Sequence, residues 1–520
     1  MSGMADCDRL DPRTRRLLEA PIVPTLLRLG APNVLIMLAQ AAVGLIETFF
    51  VGRLGTDALA GMALVFPAVM LMQTISAGAF GGAISSVIAR ALGGGRRGEA
   101  DVLVLQALVI ALALGLLFMM SALGGGRWLY TRMGGTQGAL AAALTYSNWV
   151  FAGAVLVWIF NSLSAVIRGS GNMTVPAVVS CTGSVVLVPL SPLLIFGWGP
   201  IPALGIAGGA VALLAYYLLG SVAMAAYLCS PRSLLRPTFS KMRFRWAQCR
   251  EILRLGAVGA ISAAATNVTI AIATAQVGEF GTAAIAGYGT AARLEYLLIP
   301  LVFGLGSPLV AIVGTCIGAG MRERALHATW VGAAIAFSMT EVIGCAAALW
   351  PNAWMSLFAS DPGMRQAGTY YLHAVGPLYG FFGVGLVLYF ASQGAGRLSW
   401  PVFGNLARLG VAALGGAAAL RWGHGLTEIF LAQGAALLIY ALINVAAVAG
   451  GAWFGPISWS RFPTLHASRG LPATRLEFEA AREFRHLQPM SITARQVDLV
   501  HEALPRHRSA NVLGDAFHGS

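Results

Sequence analysis

Runs of about 20 apolar residues recur from one end of this chain to the other, and no other feature leaves so few folds open. Each run is long enough to cross a bilayer as a helix. Hydrocarbon offers no water to backbone N–H and C=O groups, so a crossing segment must pair them internally, and a helix does so. Twelve such segments can be placed: 25–50, 58–88, 101–123, 139–165, 174–197, 203–229, 251–277, 283–317, 328–350, 367–392, 400–420 and 426–454. Of the 520 residues, 57% are hydrophobic and only 11% charged, with a mean hydropathy of +0.73. A soluble protein carries about 25% charged residues. The expected fold is all-α and integral to a membrane.

The formal net charge is +13, carried almost wholly by Arg. Nucleic-acid binding is the wrong inference from it, because the positive residues sort by loop. The N-terminal arm holds Arg9, Arg13, Arg15, Arg16 and Arg28, and the loop after the second segment holds Arg90, Arg96 and Arg97. The loop after the sixth holds Arg232, Arg236, Lys241, Arg243, Arg245 and Arg250, and that after the eighth Arg322 and Arg324. The alternate loops are poor in base. Positive charge marks the cytoplasmic side, so a multi-pass protein of the cell membrane with both termini in the cytoplasm is expected. The first 20 residues are polar and the first apolar run is too long for a signal peptide. Cys7, Cys181, Cys229, Cys249, Cys316 and Cys345 are scattered without metal-binding spacing and read as small packing residues. Residues 456–520 form a polar tail with eight Arg, expected to be cytosolic with one short helix near 475–487.

The chain is also written twice. "LLRLGA" at 26–31 returns as "ILRLGA" at 252–257, and "VGRLGTDALAG" at 51–61 as "VGEFGTAAIAG" at 277–287, both offset by 226. "ALGGGRR" at 91–97 matches "CIGAGMR" at 316–322, and "RGSGNMTVP" at 168–176 matches "QGAGRLSWP" at 393–401, both offset by 225. Each half then holds six helices. Six is even, so both halves enter the membrane in the same orientation, as a parallel repeat about an axis along the membrane normal. That is a transporter architecture, with a site between lobes that rock to give alternating access. The organisation expected is an arm (1–21), a six-helix lobe (22–229), a basic cytoplasmic linker (230–250), a second lobe (251–455) and the tail (456–520). The Gly-x-Gly blocks, with Pro176 and Pro401, punctuate helix ends.

Several of these blocks occur together in one known family. "LLRLGAP", "GLIETFFVGRLGTDALAGMALVFP", "IARALGGGRR" and "IRGSGNMTVP…SPLLIFGWG…ALGIAGGAVA", then "AGYGTAARLEYLLIPLVFGLGSPLVAIVGTCIGAG" and "SQGAGRLSWP", resemble the multidrug and toxic compound extrusion (MATE) family over roughly residues 20–455. The resemblance implies two six-helix bundles around a V-shaped cavity. It also implies antiport, in which a proton or sodium gradient drives export of organic, often cationic, compounds. The chain departs from the family pattern in places. Glu47 stands where members commonly carry Asp. "LVPLSP" puts Leu187 and Ser191 where many members have Asn and Asp before the proline here numbered Pro192. Acids that some members carry in the seventh and tenth helices fall near Thr266 or Asn267, and near Phe382.

Charge inside a membrane span is expensive, about 2.5–3.5 kcal/mol at mid-bilayer on insertion scales, so each such residue asks for a reason. Glu47 reads as the ion-coupling carboxylate facing a cavity between the lobes, or as a helix-end partner of Arg53. Arg293 and Glu295 are two apart in sequence and point to different faces; Glu295 reads as a second coupling acid or part of a structural ion-pair network. Arg293 is the main deeply placed Arg. Glu341 reads as an interfacial or packing residue. Uncharged cavity candidates are Gln40, Thr48, Gln73, Asn161, Thr266, Asn267 and Gln276, any of which also reads as a helix–helix hydrogen bond. Met62, Phe66, Met70 and Met72 read as an adaptable apolar wall or as packing. His327, His373 and His424 are isolated and indicate no metal.

The reading is a secondary active antiporter, not an enzyme, without cofactor, coupled to H+ or Na+, acting as a monomer on a small organic substrate in a lipid setting. A flippase for lipid-linked precursors of related fold is the rival, although such a protein tends to line its cavity with several Arg that grip pyrophosphate. An intramembrane enzyme would need paired acids, a Ser/His pair or a metal cluster within the helices, and the sequence offers none. A receptor or channel is not favoured by the duplication.

Overall fold

In a computed structural model of the chain, the described residues are 11–135, 137–198, 202–237, 246–358, 361–423 and 425–453. A short amphipathic helix α1 (Pro12–Glu19) precedes the membrane helices α2 (Ile22–Gly52), α3 (Thr56–Gln73) and α4 (Gly81–Gly93). A π-helical stretch, Thr74–Phe80, joins α3 to α4. The first half continues with α5 (Arg97–Arg132), α6 (Gln137–Ala152), α7 (Ala154–Gly169), α8 (Thr174–Phe196) and α9 (Ile206–Cys229). The second comprises α10 (Trp246–Gly278), α11 (Thr282–Gly318), α12 (Arg322–Leu349), a short α13 (Pro351–Met355), α14 (Pro362–Val375), α15 (Tyr379–Ala395), α16 (Ser399–Arg421) and α17 (Leu426–Ala449). Among the described residues, eleven helical stretches are long and apolar enough to cross a bilayer, α3 with α4 and α14 with α15 each forming one, and α6 with α7, bent by 47° at Gly153, makes a twelfth candidate span. These spans coincide with the twelve apolar segments. The tail, its expected short helix, His424 and residues 238–245 of the linker lie outside the described residues.

The repeat persists in the backbone. Gly95 and Gly320, one repeat offset apart, both adopt positive φ (+73° and +75°) where the second span of each half ends. A side chain there would be strained, and glycine is the residue that meets the demand without cost. Pro176 and Pro401 each stand third in their helices, where a missing N–H matters least. Apolar side chains cluster by half: one core is built chiefly from residues between Val65 and Leu255. Two others draw mainly on the chain beyond Ala273, one of them also taking Leu17, Leu18, Ile22 and Leu26.

The halves meet through small residues, which let membrane helices approach closely. A Cβ on Gly93 would collide with the carbonyl oxygen of Thr315, and one on Gly318 with that of Arg90. The two contacts are related by the repeat offset, so α4 and α11 cross about the pseudo-twofold axis. A Cβ on Gly30 would stand 3.2 Å from the carbonyl oxygen of Gly304, and one on Gly256 would run into the Phe80 ring. Ser86 Oγ donates to the carbonyl of Gln393 at 2.6 Å, and the Gln393 amide donates to those of Gly78 and Ala79 at 3.3 and 3.2 Å. All these contacts lie toward the end of the bundle that carries the Arg90–Arg97 and Arg322–Arg324 loops. There α1 lies against both halves: Arg13 donates to the Tyr227 hydroxyl (3.0 Å), Leu17 packs beside Gly171, and Arg324 donates to the carbonyls of Leu17 and Ala20. The basic end is therefore shut.

Candidate functional site

Glu47 sits near the end of α2 and is 7% exposed. It is turned into the first half rather than across to the second. Tyr146 on α6 donates to its Oε1 at 3.2 Å. Gly209 on α9 leaves room for the carboxylate, whose oxygen would be 3.1 Å from a Cβ there. The expected alternative of an Arg53 partner is not what the structure has: the Arg53 guanidinium lies 4.6 Å from the centre of the Phe49 ring. Among the described residues, no Lys or Arg bridges to Glu47.

A polar chain continues from this carboxylate. The Tyr217 phenol neighbours Glu47 and accepts from the Gln73 amide. Asn161 Nδ2 donates to Gln73 Oε1 at 3.1 Å and to Ser76 Oγ at 2.8 Å. Gln73 and Asn161 thus belong to a network that binds α3, the π-helical stretch, α7 and α9 together. The Tyr217 ring meets those of Tyr216 and Phe160 edge to face, with centroids 5.0 and 5.3 Å apart. Gln40, exposed on α2, faces Tyr216. Leu187 and Ser191, which replace the family's polar pair, are buried, and the Ser191 hydroxyl has no partner.

The second half holds a counterpart of different composition. Tyr371, one repeat offset after Tyr146, donates to Glu295 Oε2 at 3.1 Å. Here a cation completes the group: Arg408 Nη2 stands 3.4 Å from Glu295 Oε1, and its guanidinium lies 5.9 Å from the Phe382 ring centre. The structural reading of Glu295 is thereby supported, with Arg408 and not Arg293 as its partner. Arg293 itself is not buried. Arg168 and Arg408 are the buried ones, at 8% and 7% exposure, and Arg293 is exposed. Glu341 accepts from the Gly380 N–H at 2.7 Å and so caps α15 at the break in its span, a packing role. Thr266 donates to Ser262 O (3.1 Å) and accepts from Asn405 (2.9 Å), and Gln276 donates to Ala413 O (2.9 Å); both tie α10 to α16.

A second region lies between the halves. Positions a whole number of helical turns apart share a face, at about 3.6 residues per turn. Thr48 lies about five turns beyond Gly30, and Asn267 about three turns beyond Gly256. Arg293 precedes Gly304 by about three turns and Gly318 by about seven. Each glycine packs on the opposite half. Thr48, Asn267 and Arg293 thus lie on faces that look across to that half, and all three are exposed. The Thr48 hydroxyl donates to Gly44 O (2.7 Å) and the Asn267 amide to Ala263 O (2.9 Å), which leaves an acceptor oxygen free on each. Phe66 and Met70 on α3 are exposed at 54% and 42% and offer apolar surface; Met62 is half-buried and Met72 buried in the first core.

Sequence reasoning missed Tyr146, Tyr217, Tyr371 and Arg408. The repeat offset would have paired the first and third. Arg408, well inside an apolar span, is as anomalous as Glu47. Of the cysteines, Cys249 and Cys316 are buried as expected, whereas Cys229 is exposed.

Comparison with known proteins bears on the whole arrangement. The model of the MatE family matches residues 32–193 and 260–417, once in each half. An FAD transporter of Shewanella oneidensis is 28% identical over 399 residues, 76% of this chain and 87% of that protein. A probable multidrug resistance protein NorM of Deinococcus radiodurans is 28% identical over 388 residues, 68% and 80% of the two chains. In fold, the chain resembles a MOP superfamily transporter from Pyrococcus furiosus, with a TM-score of 0.78 at 20% identity over 85% of this chain and 99% of that one. It resembles equally an outward-facing MATE family multidrug resistance transporter, with a TM-score of 0.78 at 21% identity over the same shares.

Proposed function

This chain belongs to the MatE family, whose members are efflux transporters and not enzymes, and from that premise we propose that it is a secondary antiporter whose coupling ion binds at Glu47. The observation that carries the reading is a carboxylate buried in a membrane span with a tyrosine hydroxyl for a partner and no basic side chain. An ionised carboxylate held that way is costly. A proton or a sodium ion relieves the cost, and its release restores it, so occupancy and conformation are linked. The neighbouring Gln73–Asn161–Ser76 network supports the reading, because it ties the helices around Glu47 to the π-helical stretch that meets the second half.

In this reading the lobes span 22–229 and 251–455, the linker 230–250 and the tail 456–520 face the cytoplasm with both termini, and the protein works as a monomer. The basic end is then the cytoplasmic end, and the described state is shut on that side. The substrate is a small organic compound held in the cleft between the lobes. The cationic class that came with the resemblance finds no support from the acids present, because Glu47 and Glu295 are both turned into their own halves. A flavin dinucleotide is a second reading of the substrate, favoured by the similarity to a protein named an FAD transporter. Reconstituted vesicles tested with FAD and with a fluorescent cation, under imposed proton and sodium gradients in turn, separate these substrates and identify the ion. Absence of gradient-driven flux for every compound would remove the antiport reading.

A further inference from the structure

We propose that the cleft recognises an anionic group, a phosphate or carboxylate of the substrate, through Arg293. The proposal rests on the exporter reading above and specifies the polarity of its substrate site.

Arg293 lies about three turns inside α11, roughly 16 Å along the helix from Thr282 at about 1.5 Å per residue. At that rise the 37 residues of α11 run about 55 Å, well beyond the ~30 Å of a bilayer's hydrocarbon core, and a core centred on the helix takes in Arg293 near its edge. Arg293 is exposed, and its face is the one that Gly304 and Gly318 press against the opposite half further along the same helix. It therefore looks into the cleft. The acids nearest in sequence and depth do not look the same way. Glu295 stands about 200° around the helix from Arg293, at about 100° per residue, and is held by Tyr371 and Arg408 inside the second half. Glu47 is about 100° around α2 from the face marked by Gly30, and it is held by Tyr146 inside the first half.

Arg293 is thus a fixed positive charge, and the buried acids Glu47 and Glu295 are each held inside their own half. A guanidinium offers five N–H donors in a planar fork that matches a carboxylate or phosphate in bidentate geometry. Phe66 and Met70 are exposed apolar residues of the first half, and apolar surface that screens a charged contact from bulk water strengthens it. Apolar surface beside one cation suits an amphipathic organic anion, an aromatic or aliphatic body bearing a single acidic group. Several arginines would be wanted for a bare pyrophosphate, and the cleft does not supply them.

The test uses matched pairs that share a body and differ in one charged group: riboflavin and riboflavin 5′-phosphate, a naphthalene alcohol and the corresponding naphthoate, and a rhodamine ester with its free acid. Full-length protein in vesicles is assayed for gradient-driven flux, and in detergent for equilibrium binding by fluorescence. The expected result is tighter binding of the anionic member of at least one pair by about tenfold or more, the scale of one hydrogen bond to a charged group. Arg293→Gln should erase that preference and leave the affinity for the neutral member unchanged, and Arg293→Lys should keep part of it. Because Arg293 is exposed, monodispersity and insertion should match wild type. Equal affinity across all three pairs, or a preference that survives Arg293→Gln, would overturn the proposal. Driven flux of cations without any anion preference would overturn it while leaving the exporter reading intact. Absence of driven flux together with an Arg293-dependent anion preference would keep this site and remove the antiport reading.

Discussion

Glu47 and Glu295 each accept from a tyrosine, and the two tyrosines, Tyr146 and Tyr371, are one repeat offset apart. The third partner differs: Arg408 for Glu295, the bare Cα of Gly209 for Glu47. One acid is paired with a basic side chain and the other is not. Tyr146→Phe should therefore weaken coupling without abolishing it, lowering driven flux by about tenfold or more, the scale of one hydrogen bond to a charged group. Arg408→Met should instead act on stability, because it strands Glu295. Breaking a buried pair costs about 3–5 kcal/mol. Glu295 keeps 20% of its side chain exposed, so a loss at or below the low end of that range is expected, read as a fall in melting temperature. The double variant Arg408→Met/Glu295→Gln should recover most of the loss and still transport. A stable but inert double variant would place Glu295 in the coupling step. Glu47 was legible in the sequence because a carboxylate in an apolar run stands out. Its tyrosine partners were not, because tyrosine is common in membrane spans and only the packing decides which phenol meets an acid.

At the scale of elements, the shut end depends on glycines that admit a facing backbone. A Cβ at position 93 would meet a carbonyl oxygen, which cannot swing aside as a side-chain tip could. Gly93→Val should leave each half's own packing intact yet prevent α4 and α11 from closing, at a cost on the order of 2 kcal/mol or more. In a background where Cys316 is the sole cysteine, its buried thiol should then react faster with a maleimide than in the parent. Unchanged reactivity together with full transport would show that this contact is not what seals the basic end. The twelve spans were readable because bilayer thickness sets a length that a hydropathy count detects. The 47° bend at Gly153 and the π-helical stretch at Thr74–Phe80 were not. A bend changes direction without changing hydropathy, and glycine is too common in this chain to mark one position. Nor did the polar arm announce α1. Its Leu17 and Leu18 become meaningful only once the two halves offer a groove for them.

For the whole molecule, the parallel repeat follows from an even number of spans in each half, and the charge of the loops predicts which end faces the cytoplasm. Reporter fusions at residues 240 and 325 should read cytoplasmic, and fusions at 130 and 200 should read on the opposite side; the reverse pattern would turn the shut end outward. Coupling through Glu47 is the central claim, and it is tested most directly by flux through matched vesicles. Wild type and Glu47→Gln, reconstituted at equal amounts and given the same proton or sodium gradient, are compared for driven substrate movement and for substrate binding without a gradient. Glu47→Gln keeps size and polarity but cannot ionise, so gradient-driven flux should be lost while folding and gradient-free binding persist. Undiminished driven flux in Glu47→Gln would contradict the account and take Glu47 out of the mechanism.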